Sequence, residues 1–230
     1  ARTLADARPV LALTDDRWPY PELLGGLAVL EARDLAGPDT DPAARASAGD
    51  AAYLIHTSGS TGRPKGVAAT HGGLAALLAA HRAGVMADRD RLRVALTASL
   101  CFDASWDGLL WLIAGHELHL IGDEVRRDAT ALVRHVGERG IDALEVTPSY
   151  AEQLVAEGLL DDPAPGLLLL GGEAVGQALW SRLRQAPATQ AYNLYGPTEA
   201  TVDTLVHPLA ATDRPVLGRP VAGTHAYVLD

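Results

Sequence analysis

A stretch of glycine, serine and threonine containing one lysine is the part of this sequence best suited to chemistry. Residues 56–66 read HTSGSTGRPKG and follow directly on the apolar run 51–55. Glycine-rich backbone N–H groups, hydroxyl donors and an ammonium group are the groups that bind phosphate. Lys65 is the only lysine beside 18 arginines, which suggests that its position has a requirement of its own. We therefore expect a phosphate-binding loop here.

The order of residues in this loop excludes the common nucleotide-binding pattern. The Walker sequence G-x-x-x-x-G-K-[ST] requires a glycine before the lysine, whereas Pro64 precedes Lys65 and Gly66 follows it. Glycine, serine and threonine are also typical of flexible surface loops, so composition alone leaves that interpretation open. Motifs further along the chain decide between the two.

The elements that would position such a loop alternate between short apolar strands and helices. Strands are expected at 9–13, 51–56, 92–97, 117–121, 142–147, 167–170 and 190–194, with a last one beginning in 225–230. Helices are expected at 72–84, 104–114, 128–139, 149–158 and 175–186. This alternation predicts an α/β fold with largely parallel sheets flanked by helices. The polar segment 34–50 is expected to be a surface linker.

Composition restricts the class of protein. The 230 residues carry a net charge of −10, which disfavours nucleic acids and anionic membranes as partners. The sequence contains no apolar run of the roughly 18 residues that a membrane span requires. A cytoplasmic enzyme, or part of one, is the class that these observations favour.

Four strings in this sequence resemble, in order, the core motifs of amino-acid adenylation domains of nonribosomal peptide synthetases, which belong to the adenylate-forming superfamily. They are TSGSTGRPKG (57–66), CFDASWD (101–107), NLYGPTEATV (193–202) and GRPVAGTHAYVLD (218–230). The similarity runs from about residue 3 to the end of the sequence. His56 departs from the family pattern, which usually has tyrosine before TSGSTG.

The resemblance implies a reaction, cofactors and partners. Such domains use ATP and Mg²⁺ to convert an amino acid to its aminoacyl-adenylate, as in antibiotic biosynthesis. They then transfer the acyl group to the phosphopantetheine thiol of a carrier domain, with a condensation domain as a neighbour. The resemblance also implies that 1–230 is a partial core, from the large N-terminal part of such an enzyme. The start of the domain and the C-terminal lid, which carries a catalytic lysine, are expected outside this segment.

The resemblance also implies roles for individual residues. Lys65, Thr198 and Glu199 are expected to act in catalysis, with Glu199 as the Mg²⁺ ligand, since a carboxylate suits a hard cation. Tyr195 is expected to stack on the adenine. The residues expected to bind ATP and its phosphates are Thr57, Ser58, Gly59, Ser60, Thr61, Gly62, Lys65, Gly172, Glu173, Asn193, Leu194, Tyr195, Gly196, Pro197 and Thr198.

Asp103, in the string FDAS, stands where the family places the carboxylate that binds the substrate's α-ammonium group. A helix N-cap is the alternative for this aspartate, and both roles are compatible. The remaining positions of the substrate pocket, obtained by aligning the motifs without gaps, are Ala104, Asp107, Glu145, Leu169, Gly171, Leu194, Val202 and Asp203.

Acidic residues are frequent among these pocket positions. Carboxylates grouped in a partly buried cavity are costly unless a cation joins them. We therefore expect a basic substrate, arginine or an arginine derivative first and ornithine or lysine next. The alternative is that Asp107, Glu145 and Asp203 point outward or pair with arginines such as Arg134 or Arg139.

Two other functions are compatible with parts of this pattern. A non-catalytic nucleotide- or amino-acid-binding fragment, or a degenerate scaffold domain, would keep the fold without the reaction. An acyl-CoA ligase of the same superfamily is disfavoured, because Asp103 in FDAS is suited to an amino group.

Overall fold

The computed structural model describes residues 2–15, 21–35, 37, 40, 45–58 and 64–229. The chain divides into two compact units, residues 1–71 and 72–230. Four predicted loop residues lie outside the described residues, together with part of the connection 34–50 and Asp230; the four are Gly59, Ser60, Thr61 and Gly62. The described residues of the connection 34–50 are all exposed.

The first unit contains a short helix and two small sheets. Strands β1 (Leu11–Thr14) and β2 (Ala28–Glu31) pair in parallel. Strands β3 (Ala51–Thr57) and β4 (Lys65–Thr70) pair in antiparallel orientation. Helix α1 spans Arg2–Ala7, and 3-10 helices span Pro21–Leu24 and Ala32–Asp34.

The second unit is built on a seven-stranded sheet. Its strands are β5 (Arg93–Leu96), β6 (Glu117–Leu120), β7 (Ala143–Val146), β8 (Leu167–Leu170), β9 (Gln190–Tyr195), β10 (Leu205–Pro208) and β11 (Arg219–Pro220). Their order across the sheet is β11-β10-β9-β8-β7-β5-β6. The strands from β6 to β9 are parallel, and β10 and β11 continue the sheet in antiparallel pairing. The carboxyl ends of β5, β7, β8 and β9 therefore meet at one edge.

Helices cover both faces of this sheet. They are α2 (His71–Ala83), α3 (Ser105–Ala114), α4 (Asp123–Arg126), α5 (Ala129–Arg139), α6 (Pro148–Ala156) and α7 (Gln177–Arg184), with 3-10 helices at Thr198–Ala200 and Leu209–Ala211. No helix in the described part of the chain is long and apolar enough to cross a membrane.

Strand β8 shows how the core is divided between the two faces. All four of its leucines are buried. Leu168 and Leu170 pack with residues of α5, α6 and α7 on one face. Leu167 and Leu169 pack with residues of α2 and α3 on the other. Successive side chains of a strand point to opposite faces, so a continuous leucine run fits a central parallel strand.

The predicted α/β fold with a largely parallel sheet is confirmed. Each of the seven internal strands and five helices predicted from sequence is present, with ends within two residues of those expected. The strand predicted in 225–230 is wrong, because residues 225–229 form no strand. Sequence patterns missed β4, because its residues KGVAAT are mostly small and do not alternate between apolar and polar.

Candidate active site

The glycine-rich segment connects the two strands of a hairpin. Thr57, the last residue of β3, and Lys65, the first residue of β4, are paired across the two strands. The antiparallel pairing therefore holds the two ends of segment 58–64 side by side. The ammonium group predicted to bind phosphate is thus carried by a strand, at the base of the segment. Lys65 and Ser58 are exposed.

A first cavity lies at the carboxyl ends of β8 and β9, and we name it the β8–β9 cavity. Its volume is about 460 Å³. It is lined by Gly172, Glu173, Ala174, Val175, Asn193, Leu194, Tyr195, Gly196, Pro215, Val216 and Leu217. Six of the residues predicted to bind ATP are therefore together in one wall, although they come from two separate segments.

Backbone geometry at the β8–β9 cavity requires glycine and fixes Asn193. Gly172 has a φ of +80°, in the left-handed region that favours glycine. A Cβ atom at Gly196 would collide with the carbonyl group of Val202. The Asn193 side chain donates a hydrogen bond from Nδ2 to the Val216 carbonyl at 2.8 Å. These contacts hold the segment that follows β9 close to the chain that returns toward β10.

The segment after β9 contains strained backbone. Thr198 and Glu199 lie in the 3-10 helix Thr198–Ala200, and Glu199 is exposed. Thr201 and Val202 follow with a φ of +63° each. For a β-branched residue such as valine this conformation costs on the order of 1–3 kcal/mol. Two successive left-handed residues turn the chain sharply just before Asp203, which is buried.

A second cavity, which we name the Asp103 cavity, adjoins the first through shared residues. Its volume is about 490 Å³. It is lined by Thr97, Ala98, Ser99, Phe102, Asp103, Ala104, Arg126, Glu145, Val146, Thr147, Tyr150, Gly171, Gly172 and Glu173. Gly172 and Glu173 line both cavities, so the two are neighbours at this edge of the sheet.

The predicted substrate positions separate into those at a cavity wall and those in the interior. Asp103, Ala104, Glu145 and Gly171 line the Asp103 cavity. Leu194 lines the β8–β9 cavity instead. The remaining positions, Asp107, Leu169, Val202 and Asp203, are buried and line neither cavity. Only some of the predicted pocket positions therefore lie where a ligand in a cavity would contact them.

The structure corrects the N-cap interpretation of Asp103. The N-cap of α3 is Ala104, without a side-chain capping bond, so the interpretation of Asp103 as an N-cap is wrong. One oxygen of Asp103 accepts a hydrogen bond from the neighbouring Ala104 amide at 3.1 Å. Asp103 also precedes the helix that contains Asp107, and the two carboxylates do not share a helix face. Asp103 faces the cavity, while Asp107 faces the interior.

The remaining acids form one cluster, which we name the acid cluster: Asp107, Glu145 and Asp203. Burial, followed by the Asp203 and Glu145 carboxylates, raises the pKa of Asp107 well above its usual range. Burial and the Asp203 carboxylate raise the pKa of Glu145 to about 8. Both shifts arise because a buried carboxylate beside another one resists ionisation.

The arginine alternative for these acids is wrong. Arg134 pairs with Glu138 on the surface of α5, at 3.9 Å. The carbonyl group of Arg139 accepts a hydrogen bond from Arg93. Within the described part of the chain no arginine forms an ion pair with the acid cluster. At the cavity wall the positive charge of Arg126 is matched by Asp123, 2.7 Å away.

Sequence reasoning missed His81. Its Nε2 atom lies 3.2 Å from Oδ2 of Asp203, and its Nδ1 atom lies 3.9 Å from Oδ1 of Asp107. His81 lies on α2 among the buried residues Leu74, Leu77 and Ala80. That spacing is typical of the core-facing side of a helix, so no local signal marks this histidine.

Comparison with known proteins identifies the family of the chain. Residues 3–230 match the AMP-binding enzyme family. The chain therefore belongs to this family of AMP-binding enzymes, and its resemblance to adenylate-forming enzymes is confirmed.

Its relatives include a vanchrobactin synthetase, a novobiocin biosynthesis protein and a solved nonribosomal peptide synthetase. Vanchrobactin synthetase VabF of Vibrio anguillarum is 46% identical over 196 residues, covering 79% of this chain and 7% of that protein. Novobiocin biosynthesis protein H of Streptomyces niveus is 38% identical over 246 residues, covering 99% of this chain and 39% of that protein. The solved nonribosomal peptide synthetase FmoA3, bound to α-methyl-L-serine-AMP, has a TM-score of 0.85 at 28% identity, covering 100% of this chain and 27% of that chain. The chain thus spans a minor part of each relative.

Proposed function

We propose that this chain forms the ATP- and amino-acid-binding core of an enzyme that activates a basic amino acid as its aminoacyl-adenylate. Arginine or an arginine derivative is the first substrate that we propose, followed by ornithine and lysine. The observation that carries the proposal is that three acidic residues, Asp103, Glu145 and Glu173, line one cavity, with two further acids close to Glu145 in the interior.

Two of the acidic residues at the cavity wall, Asp103 and Glu145, have different tasks in this proposal. Asp103 binds the α-ammonium group that every amino acid carries. Glu145 binds the cation at the end of the side chain. Two unit charges about 4 Å apart attract by about 4 kcal/mol at an effective dielectric constant near 20, before desolvation is subtracted. An attraction of this size is sufficient to select an amino acid with two cationic groups over a neutral analogue.

The β8–β9 cavity is the proposed site of the nucleotide. Its glycines allow a flat ligand to lie against backbone at Gly172 and Gly196, and Tyr195 offers a half-exposed ring for stacking on adenine. Thr198 is proposed to contact the α-phosphate. The exposed carboxylate of Glu199 is a hard oxygen donor of the kind that Mg²⁺ accepts. Because the two cavities share Gly172 and Glu173, the amino-acid carboxylate and the α-phosphate are proposed to meet where the cavities adjoin.

The glycine-rich segment is the proposed site of the β- and γ-phosphates. Thr57, Ser58 and Lys65 supply hydroxyl groups and a cation there, and we propose the same role for Ser60 and Thr61. ATP supplies the adenylyl group, Mg²⁺ screens the phosphate charge, and pyrophosphate leaves. The proposed acceptor of the activated amino acid is the phosphopantetheine thiol of a carrier domain. Carrier and condensation domains are therefore the proposed partners, in the cytoplasm.

Amino-acid-dependent exchange of pyrophosphate into ATP tests the proposal in the intact synthetase that contains this chain. We expect arginine to support exchange best, ornithine and lysine to follow, and citrulline, the neutral analogue of arginine, to be poor. Preference for a neutral or aromatic amino acid would contradict the basic substrate. If none of the amino acids tested supports exchange, the scaffold function is favoured instead.

A further inference from the structure

A buried histidine lies against two members of the acid cluster. The side chains of His81, Asp107 and Asp203 belong to residues that are only 2%, 1% and 6% exposed. The imidazole lies between the two aspartates, with its nitrogens 3.2 Å from Asp203 and 3.9 Å from Asp107. Burying three ionisable groups together is unfavourable unless their charges balance.

The packing of separate elements, and no local sequence pattern, brings His81 next to the acid cluster. Glu145 follows Ala143 by two residues in β7, so both side chains point to the sheet face that α2 and α3 cover. Helix α2 contributes His81 to this face, and α3 contributes Asp107. Asp203 reaches the same point after the sharp turn at Thr201 and Val202.

Charge balance follows from the geometry of the four groups. Asp107 resists ionisation, because burial and the neighbouring Asp203 and Glu145 carboxylates raise its pKa. Nε2 of His81 is within ion-pair distance of Asp203, and Nδ1 faces Oδ1 of Asp107. A protonated Asp107 and a His81–Asp203 ion pair together carry no net charge. Glu145 is then the carboxyl group of the cluster that faces the cavity, where it can give up its proton to pair with a cation.

We propose that His81 is a positioning residue for substrate selection: it neutralises Asp203 from within, so that Glu145 alone pairs with one cation on the substrate's side chain. This inference rests on the proposed function, since it concerns the same cavity. Without His81, the unbalanced charge of Asp203 lies against Glu145 and further opposes the loss of its proton, so a cationic side chain is bound less well. His81 does not line the Asp103 cavity and acts through Asp203.

The test compares His81→Gln, Asp203→Asn and the double variant in the intact synthetase. The measurements are the KM of the best basic amino acid and the KM of ATP, both from pyrophosphate exchange. We expect His81→Gln to raise the amino-acid KM roughly tenfold or more, because removing one partner of a buried pair leaves an uncompensated charge. The KM of ATP should stay unchanged. The matched control is His135→Gln, on α5 and away from the cluster, which should change neither.

Adding Asp203→Asn to His81→Gln should rescue binding, because the surplus charge is then gone. The double variant and Asp203→Asn alone should therefore have the same amino-acid KM. This second comparison stands even where His81→Gln alone does not fold. A changed KM on replacing His81 in the Asp203→Asn background would overturn the proposal. So would an unchanged KM in His81→Gln.

Two further results separate this inference from its alternatives. Near-stoichiometric zinc or manganese in the purified wild-type enzyme, lost in both single variants, would make His81 a metal ligand and overturn the proposal. A wild-type enzyme that activates no basic amino acid would instead refute the proposed function. An enzyme that prefers basic amino acids but has a His81→Gln variant like the wild type would refute only the role of His81.

Discussion

Oδ2 of Asp203 lies 3.2 Å from Nε2 of His81, and both residues are almost wholly excluded from solvent. On its other side the same aspartate raises the pKa of Glu145, which faces the Asp103 cavity. Asp203 thus connects a helix on one face of the sheet to the wall of the cavity. The effect of Asp203 on the cavity should be measurable as a change in the pH at which Glu145 ionises.

The first prediction concerns pH. The pKa of Glu145 is about 8, so below that pH the empty cavity holds a neutral carboxyl group that must lose its proton to bind a cation. The KM of a basic amino acid should therefore fall as pH rises from 6.5 to 8, by roughly tenfold. Steady-state pyrophosphate exchange across this range measures it. In Glu145→Gln this dependence should disappear, and in the surface variant Glu138→Gln it should persist.

Asp203→Asn extends the same prediction. Removing the Asp203 charge removes one cause of the raised pKa of Glu145, so the fall in KM should move to lower pH. An unmoved profile would show that Asp203 does not act on Glu145.

The second prediction concerns Asp103. Its carboxylate lines the cavity and forms no helix cap, so the capping of α3 does not depend on it. Asp103→Asn should raise the amino-acid KM roughly thirtyfold or more, since truncating one partner of a buried charge pair costs several kcal/mol. The KM of ATP should stay close to the wild-type value. Asp90→Asn, at an exposed position, is the control. Equal losses for ATP and amino acid would argue against an ammonium-binding role.

The third prediction concerns Gly196. A methyl group there would collide with the Val202 carbonyl, so Gly196→Ala must displace the segment that lines the β8–β9 cavity. The KM of ATP should rise by about tenfold or more if that segment binds the nucleotide, because a displaced segment no longer holds its binding groups at the nucleotide. Gly122→Ala is the matched control, because nothing lies within 4 Å of the added methyl group. Wild-type ATP binding by Gly196→Ala would place the nucleotide elsewhere.

The fourth prediction concerns the core of the sheet. Leu168 in β8 is fully buried and packs against residues of α5 to α7. Leu168→Ala should destabilise the fold by about 2–5 kcal/mol, from lost apolar burial and the cavity that remains. Thermal inactivation of pyrophosphate exchange should therefore occur at a lower temperature. Leu120→Ala, at a position 75% exposed, should leave the inactivation temperature nearly unchanged.

Much of the fold could be predicted because its signals are local. The leucine run of β8 and the amphipathic pattern of α5 each lie within a dozen residues. Strands with weak patterns, such as β4 and β11, could not be predicted in the same way. Strand β11 has only two residues and forms by pairing with β10. Its existence depends on a partner distant in sequence.

The candidate site, too, could be predicted only where its signals are local in sequence. Motif strings and their order were sufficient to find the glycine-rich segment, Asp103, and the acids that lie together, because each string is a local pattern. Only the tertiary structure decided which acids face the cavity and which face the interior. That choice depends on how α2 and α3 cross the sheet and on the left-handed turn before Asp203. The contact between His81 and the acid cluster is likewise non-local, since a core-facing histidine on a helix has no partner until the helix is packed.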